Sequence, residues 1–150
     1  MRTVIQRVSS AQLQVNNKVI GKINHGYTVL LGIEEDDTIE DVKWLANKVC
    51  KVRLFNDEDE KMNLNIKDVK GNILVISQFT LHARTKKGNR PSFRRAAPPG
   101  KANILYENFI DLLFNELDQP IQSGEFGAHM EITQTNYGPV TLFIDTKNKE

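Results

Sequence analysis

Apolar and polar residues alternate from Arg2 to Val8 and again from Ala11 to Val15, the period of half-buried strands, and Asn16-Asn17 supplies a turn into a third strand, Lys18 to Ile23. The alternation then stops. Tyr27 to Ile33 reads YTVLLGI, a continuous apolar run that suits a strand covered on both faces at the centre of a sheet. Thr38 stands where a helix N-cap belongs, with Asp41 in the capping-box position. Ile39, Val42, Ala46, Val49 and Arg53 recur at helical spacing, predicting a helix to about Val52. Beyond the polar turn Asn56 to Lys61, MNLNIKDVKGN alternates too weakly to assign. Ile73 to Leu81, ILVISQFTL, is the second strongly apolar run and reads as another central strand. Arg84 to Gly100 holds Gly88, Pro91, Pro98 and Pro99, too many breakers for regular structure. From Lys101 to Leu117 the stripe Ile104, Leu105, Phe109, Leu112, Leu113 and Leu117 predicts a second helix. Ala128 to Gln134 alternates, and Gly138-Pro139 opens a last strand running to Asp145. The expected class is α+β, about seven strands and two helices with one long loop.

At 150 residues, the chain is the size of one domain, expected to span 1–150. Hydrophobic content of 39% and charged content of 26% are those of a folded globular protein. No apolar run is long enough to span a bilayer and the start MRTVIQRVSS lacks the features of a signal peptide, so the reading is cytosolic, without a membrane. Cys50 has no partner for a disulfide and falls on the apolar face of the first helix, as a small core residue. Net charge is only +1, but its distribution changes the picture. Glu34 to Asp37 and Asp57 to Glu60 are acidic, whereas His82 to Arg95 carries Arg84, Lys86, Lys87, Arg90, Arg94 and Arg95 with no acid. Such a stretch is either a solvated loop or a phosphate-binding surface.

Metal chemistry finds little support: His25, His82 and His129 are scattered, and no HExxH or CxxC spacing occurs. No GxGxxG or P-loop signature is present. The unusual cluster is Ser77-Gln78-Phe79-Thr80, polar groups in an otherwise apolar run. In a strand, Ser77 and Phe79 would face one side and Gln78 and Thr80 the other. Either the polar groups lie at a fraying strand end, or they form a shelf at a site. Thr80 is a candidate nucleophile, yet His82 would lie roughly 6.6 Å along an ideal strand, too far to activate it directly. Backbone N–H groups at the strand end are an alternative, as an oxyanion hole for an ester carbonyl. Gly138-Pro139 is locally ambiguous in the same way, a plain turn or a cis peptide held for a purpose.

SQFTL at Ser77 to Leu81 and NYGPVT at Asn136 to Thr141 closely resemble the two signature motifs of the D-aminoacyl-tRNA deacylases. The resemblance continues in order through IQRV at Ile5 to Val8, LLG at Leu30 to Gly32, KMNLN at Lys61 to Asn65, RPSF at Arg90 to Phe93 and GEFGAHM at Gly124 to Met130. It implies a barrel-like sheet with helices packed on it, a homodimer with active sites at the subunit interface, and no metal or organic cofactor. The implied reaction hydrolyses the ester joining a D-amino acid, and glycine too, to the 3′ end of tRNA. Carried over, Ser77, Gln78, Phe79 and Thr80 line the pocket, with main-chain donors near Phe79 and Thr80 facing the reacting carbonyl. Gly138 and Pro139, joined by a cis bond, reach into the partner's pocket and exclude an L side chain, with Arg7 bracing their turn. Phe126 and Met130 are candidates for the adenosine-facing wall, with core filling as the alternative. The mechanism is either attack by Thr80 or activation of water assisted by the ribose 2′-hydroxyl; the absence of a local base favours water. The competing readings are a non-catalytic tRNA-binding module and a small-ester hydrolase using Thr80.

Overall fold

The computed structural model describes residues 1–150. The two opening segments form one strand, β1 (Arg2–Val15), rather than two. Their boundary survives as irregular pairing around Val8 to Ser10. There the strand changes which core it feeds: Ile5 packs among the helices, while Val8, Ala11 and Leu13 pack on the other face of the sheet. β2 (Lys18–Ile23) follows the expected Asn16-Asn17 turn, where both residues adopt positive φ. β3 (Gly26–Gly32) is central as expected, antiparallel to β1 and parallel to β6 (Asn72–Ser77). The weakly patterned stretch yields a small ribbon, β4 (Phe55–Asn56) with β5 (Met62–Leu64). A short β7 (Gln122–Ser123) adds parallel to β6, and β8 (Glu131–Asp145) runs antiparallel along β1.

The main sheet has the order β2-β1-β3-β6-β7, with β8 on β1. It curls until β2 approaches β7, and Gly21 permits the closure. A Cβ there would lie 3.1 Å from Leu74 Cδ1 and 3.5 Å from the Ser123 carbonyl. The result is a nearly closed barrel of mixed sheet. Val8, Leu13, Leu74 and Ile76 fill one side of it.

α1 (Ile39–Lys51) and α2 (Pro99–Leu117) cover the other side. α1 begins as read: the Thr38 N–H donates to the Asp41 carboxylate at 2.9 Å. Its buried face is Val42, Leu45, Ala46, Val49 and Cys50, and burial pushes the Cys50 thiol up to about 12. Ile39 is largely exposed and Arg53 lies beyond the helix, so both leave the expected stripe. Ile104 likewise points outward from α2, where Ala102 and Tyr106 complete the buried face with Leu105, Phe109, Leu113 and Leu117.

Two expectations are corrected where they matter for function. The strand read as Ile73 to Leu81 ends at Ser77, and Phe79–His82 is a 3-10 turn. Gly138-Pro139 does not begin a strand but sits inside β8. Val8 pairs with Asn136 and Gln6 with Thr141, so Arg7 alone opposes the four residues Tyr137 to Val140. They bulge out of the ladder, which is where a proline without an N–H is tolerated. The Gly138-Pro139 peptide is cis.

Candidate active site

The end of β6 opens into a cleft of about 750 Å³. Ser77 pairs with Leu31, and the Gln78 N–H makes the last ladder bond, to the Leu31 carbonyl at 2.8 Å. The chain then coils. The Leu81 N–H bonds the Gln78 carbonyl at 3.2 Å, closing the 3-10 turn, so the amides of Phe79 and Thr80 precede its first bond and have no acceptor within it. Gly32 makes room for this turn: a Cβ there would approach the Gln78 carbonyl to 2.9 Å and Leu81 Cβ to 3.0 Å.

Alternation across the cluster is therefore lost, and Gln78 meets Thr80 instead of diverging from Phe79. Gln78 Nε2 donates to Thr80 Oγ1 at 2.6 Å. No carboxylate or imidazole bonds that hydroxyl. His82 lies beneath the turn, fully buried, with neither ring nitrogen hydrogen-bonded. Burial pushes its pKa down, against the opposing pull of the Gly32 backbone and the Glu34 carboxylate. Neither ring nitrogen bonds the Thr80 hydroxyl, so His82 is not placed to take its proton.

Of the expected pocket residues, Ser77, Gln78, Phe79, Phe126 and Met130 line this cleft, whereas Thr80, whose hydroxyl is taken up by Gln78, is not part of the lining. Phe79 is 55% exposed and meets Phe93 edge-on at 5.1 Å. Phe126 tilts against Tyr106 at 5.8 Å, and Met130 packs against the inner barrel core, so both combine wall and core roles. Sequence reasoning missed the wall of small residues, Ala96, Ala97 and Pro98, with the α2 N-terminus behind it. Small residues at a loop end carry no pattern that marks them. The wall is held by pairing: Ala97 N–H donates to the Ile33 carbonyl at 3.0 Å, and Arg95 binds the buried Glu34 carboxylate at 2.6 Å. No group of three or more His, Cys, Asp or Glu is placed to hold a metal ion.

Arg7, Gly138 and Pro139 lie away from the cleft. Arg7 is 6% exposed; its Nε donates to the Tyr137 carbonyl at 2.9 Å, its Nη1 to the Leu54 carbonyl, and its guanidinium lies 4.9 Å from the Tyr137 ring. Arg7 pairs with Tyr27, which pairs with Ile73, whereas the cleft begins at Leu31 on β3 and Ile76 on β6. Three to four residues of strand, about 10–13 Å, separate the two levels before any lateral offset is added. Within one chain, the bulge does not reach the cleft.

The family model described as D-Tyr-tRNA(Tyr) deacylase matches residues 4–145. The chain belongs to this deacylase family. Among curated deacylase relatives, the D-aminoacyl-tRNA deacylase of Fusobacterium nucleatum is 55% identical over 148 residues, covering 99% of this chain and 97% of its own. That of Akkermansia muciniphila is 53% identical over the full length of both chains. The solved structure titled "c-Myc DNA Unwinding Element Binding Protein" superposes with a TM-score of 0.91 at 36% identity, covering 97% of this chain and 98% of that one. The family match spans the residues of both the cleft and the bulge.

Proposed function

We propose that the protein hydrolyses the ester bond of D-aminoacyl-tRNA, and of glycyl-tRNA, in the cytosol, through the single domain 1–150. The observation that carries this reading is the 3-10 turn at the cleft, where Phe79 lines the wall and the amides of Phe79 and Thr80 have no acceptor within the turn, in a chain that belongs to the deacylase family. The carbonyl oxygen of the ester rests on those amides. As water adds, charge develops on that oxygen, and preorganised donors hold it more tightly in the transition state than in the ground state. The bond from carbonyl carbon to the ribose 3′-oxygen then breaks, the oxygen takes a proton, and free amino acid and tRNA leave. Thr80 Oγ1, held by Gln78, has no base to remove its proton, so the ribose 2′-hydroxyl assists the water instead.

A second copy completes the site. β8 pairs only with β1 and presents Ile132, Tyr137 and Phe143 to solvent along a free fifteen-residue edge. A long exposed edge carrying apolar side chains is a surface made for another chain. Across such a dimer, the bulge at Gly138 and Pro139 enters the partner's cleft. Its carbonyls occupy the space of an L side chain, and selectivity arises by exclusion, which leaves D side chains and glycine acceptable.

The test is release of tyrosine from D-tyrosyl-tRNA and L-tyrosyl-tRNA compared side by side. Hydrolysis of the D ester alone is expected; equal rates on both would refute the reading. A terminal ribose with hydrogen at the 2′ position should lose about a hundredfold or more in rate, within the range of acid–base assistance. Thr80→Ala should keep most of the activity, whereas a covalent Thr80 requires its abolition.

A further inference from the structure

The basic stretch is a preformed arm beside the cleft. Arg84 and Ser92 bond each other twice, N–H to carbonyl at 2.8 Å and 3.0 Å, which clamps the base of the loop between them. Of its six cations, only Arg95 is engaged by an acid, Glu34, and it pins the loop to the barrel. Arg84, Lys86, Lys87, Arg90 and Arg94 are exposed and make no ion pair or side-chain hydrogen bond. No acidic residue interrupts them in sequence. A monomer with net charge +1 has therefore concentrated five free positive charges on one projection.

The arm is continuous with the site. Phe93 and Arg94 line the cleft, and Phe93 touches Phe79 on its wall. Lys86, Lys87 and Arg90 stand on the seven-residue loop that the Arg84–Ser92 pair closes next to that rim. A small phosphorylated compound would need one or two of these cations, clustered. Five spread along an arm match a repeating anion, whose charges succeed one another away from the ester.

We propose that Arg84 to Arg94 is the tRNA-backbone site of this protein, holding phosphates of the acceptor end while the terminal ester lies in the cleft. This rests on the deacylase reading for the placement of the ester. The arm supplies sequence-independent, salt-sensitive affinity, and the cleft supplies the chemistry.

Binding of uncharged tRNA tests the arm without requiring hydrolysis. The combined variant Lys86→Ala, Lys87→Ala and Arg90→Ala, with its fold checked by circular dichroism, is compared with wild type from about 50 to about 200 mM NaCl. The variant should bind about tenfold or more weakly at low salt. Its slope of log K against log salt should fall by about 2, at ~0.7 per contact on a single strand. The charge-conserving variant Lys86→Arg, Lys87→Arg and Arg90→Lys should bind as wild type does. Unchanged affinity and slope in the alanine variant would overturn the site, and equally tight binding of duplex DNA by wild type would overturn its assignment to tRNA. Failure of wild type to hydrolyse D-aminoacyl-tRNA would sink the deacylase reading, and the binding comparison would still decide the arm.

Discussion

At Arg7 a single buried guanidinium joins three stretches of chain: β1, the segment leaving α1, and the bulge of β8. Removing it strands the Leu54 and Tyr137 carbonyls and leaves the bulge unsupported. Arg7→Met should cost about 2–3 kcal/mol in a urea melt, the scale of lost charge-assisted hydrogen bonds, and should lower deacylation beyond that loss. Lysine cannot reach both carbonyls with its single ammonium in the fork geometry, so Arg7→Lys should rescue little. His82 sets a different test. Its folded pKa is lowered by burial, so below the ordinary histidine range the unfolded chain takes up a proton that the folded chain refuses. The stability tied to neutral His82 is present above that range and declines as pH falls through it. Melting temperature should therefore fall between about pH 7 and pH 5 in wild type and less in His82→Leu. An equal fall in both would exclude His82 as the cause.

At the scale of elements, the 3-10 turn at the cleft is held by the strand beside it. Gly32 ends β3 where Gln78, Leu81 and His82 crowd in, and a Cβ at that position would come within 2.9 Å of the Gln78 carbonyl oxygen. Gly32→Ala should destabilise by about 1–3 kcal/mol, as overpacking does. Because the displaced group is the turn bearing the Phe79 and Thr80 amides, kcat should fall further than stability at a temperature where the variant stays folded. A melting shift without loss of kcat would mean that the turn does not position the amides. The same turn marks where pattern reading stopped being informative. Ile73 to Ser77 and Phe79 to Leu81 are chemically one run, and nothing in the residues announces the change from strand to 3-10 coil. It happens because β3 runs out at Gly32 and leaves Gln78 the last amide with a ladder partner.

For the whole molecule, the chain ends are tied together by charge. Burial opposes ionisation of Asp41, but hydrogen bonds from Lys147, Thr146 and the Thr38 amide outweigh it and hold the carboxyl well below its ordinary range. Asp145 is lowered likewise: burial again opposes, and Arg2 and the Lys147 amide prevail. A depressed carboxyl contributes stability that is complete above its unfolded pKa and is lost as pH falls toward the folded one. Asp41→Asn should thus cost about 1 kcal/mol at neutral pH, and the difference from wild type should shrink as the medium becomes strongly acidic. The proposed dimer has its own test. Phe79→Pro, which removes that residue's amide, and Gly138→Val, each inactive alone, should regain about a quarter of wild-type activity when unfolded together and refolded as a mixture, because a heterodimer assembles one intact site from opposite chains. No recovery would refute a site built from opposite chains.

The periodicities alone were enough for β3, both helices, the Asn16-Asn17 turn and the central position of the two apolar runs, since burial on one face or two writes itself into residue order. The linear motifs were enough to gather Ser77, Gln78, Phe79, Thr80, Phe126 and Met130 as candidates, and the fold brings all of them except Thr80 to the lining of one cleft. What only the fold decided was that Gly138 and Pro139 form a mid-strand bulge, that Arg7 is buried against it, and that bulge and cleft stand at different levels of the sheet. Register carries that information. It is set by which strands meet and how far each has slipped, a property of pairs of segments far apart in the chain, and no single segment records it.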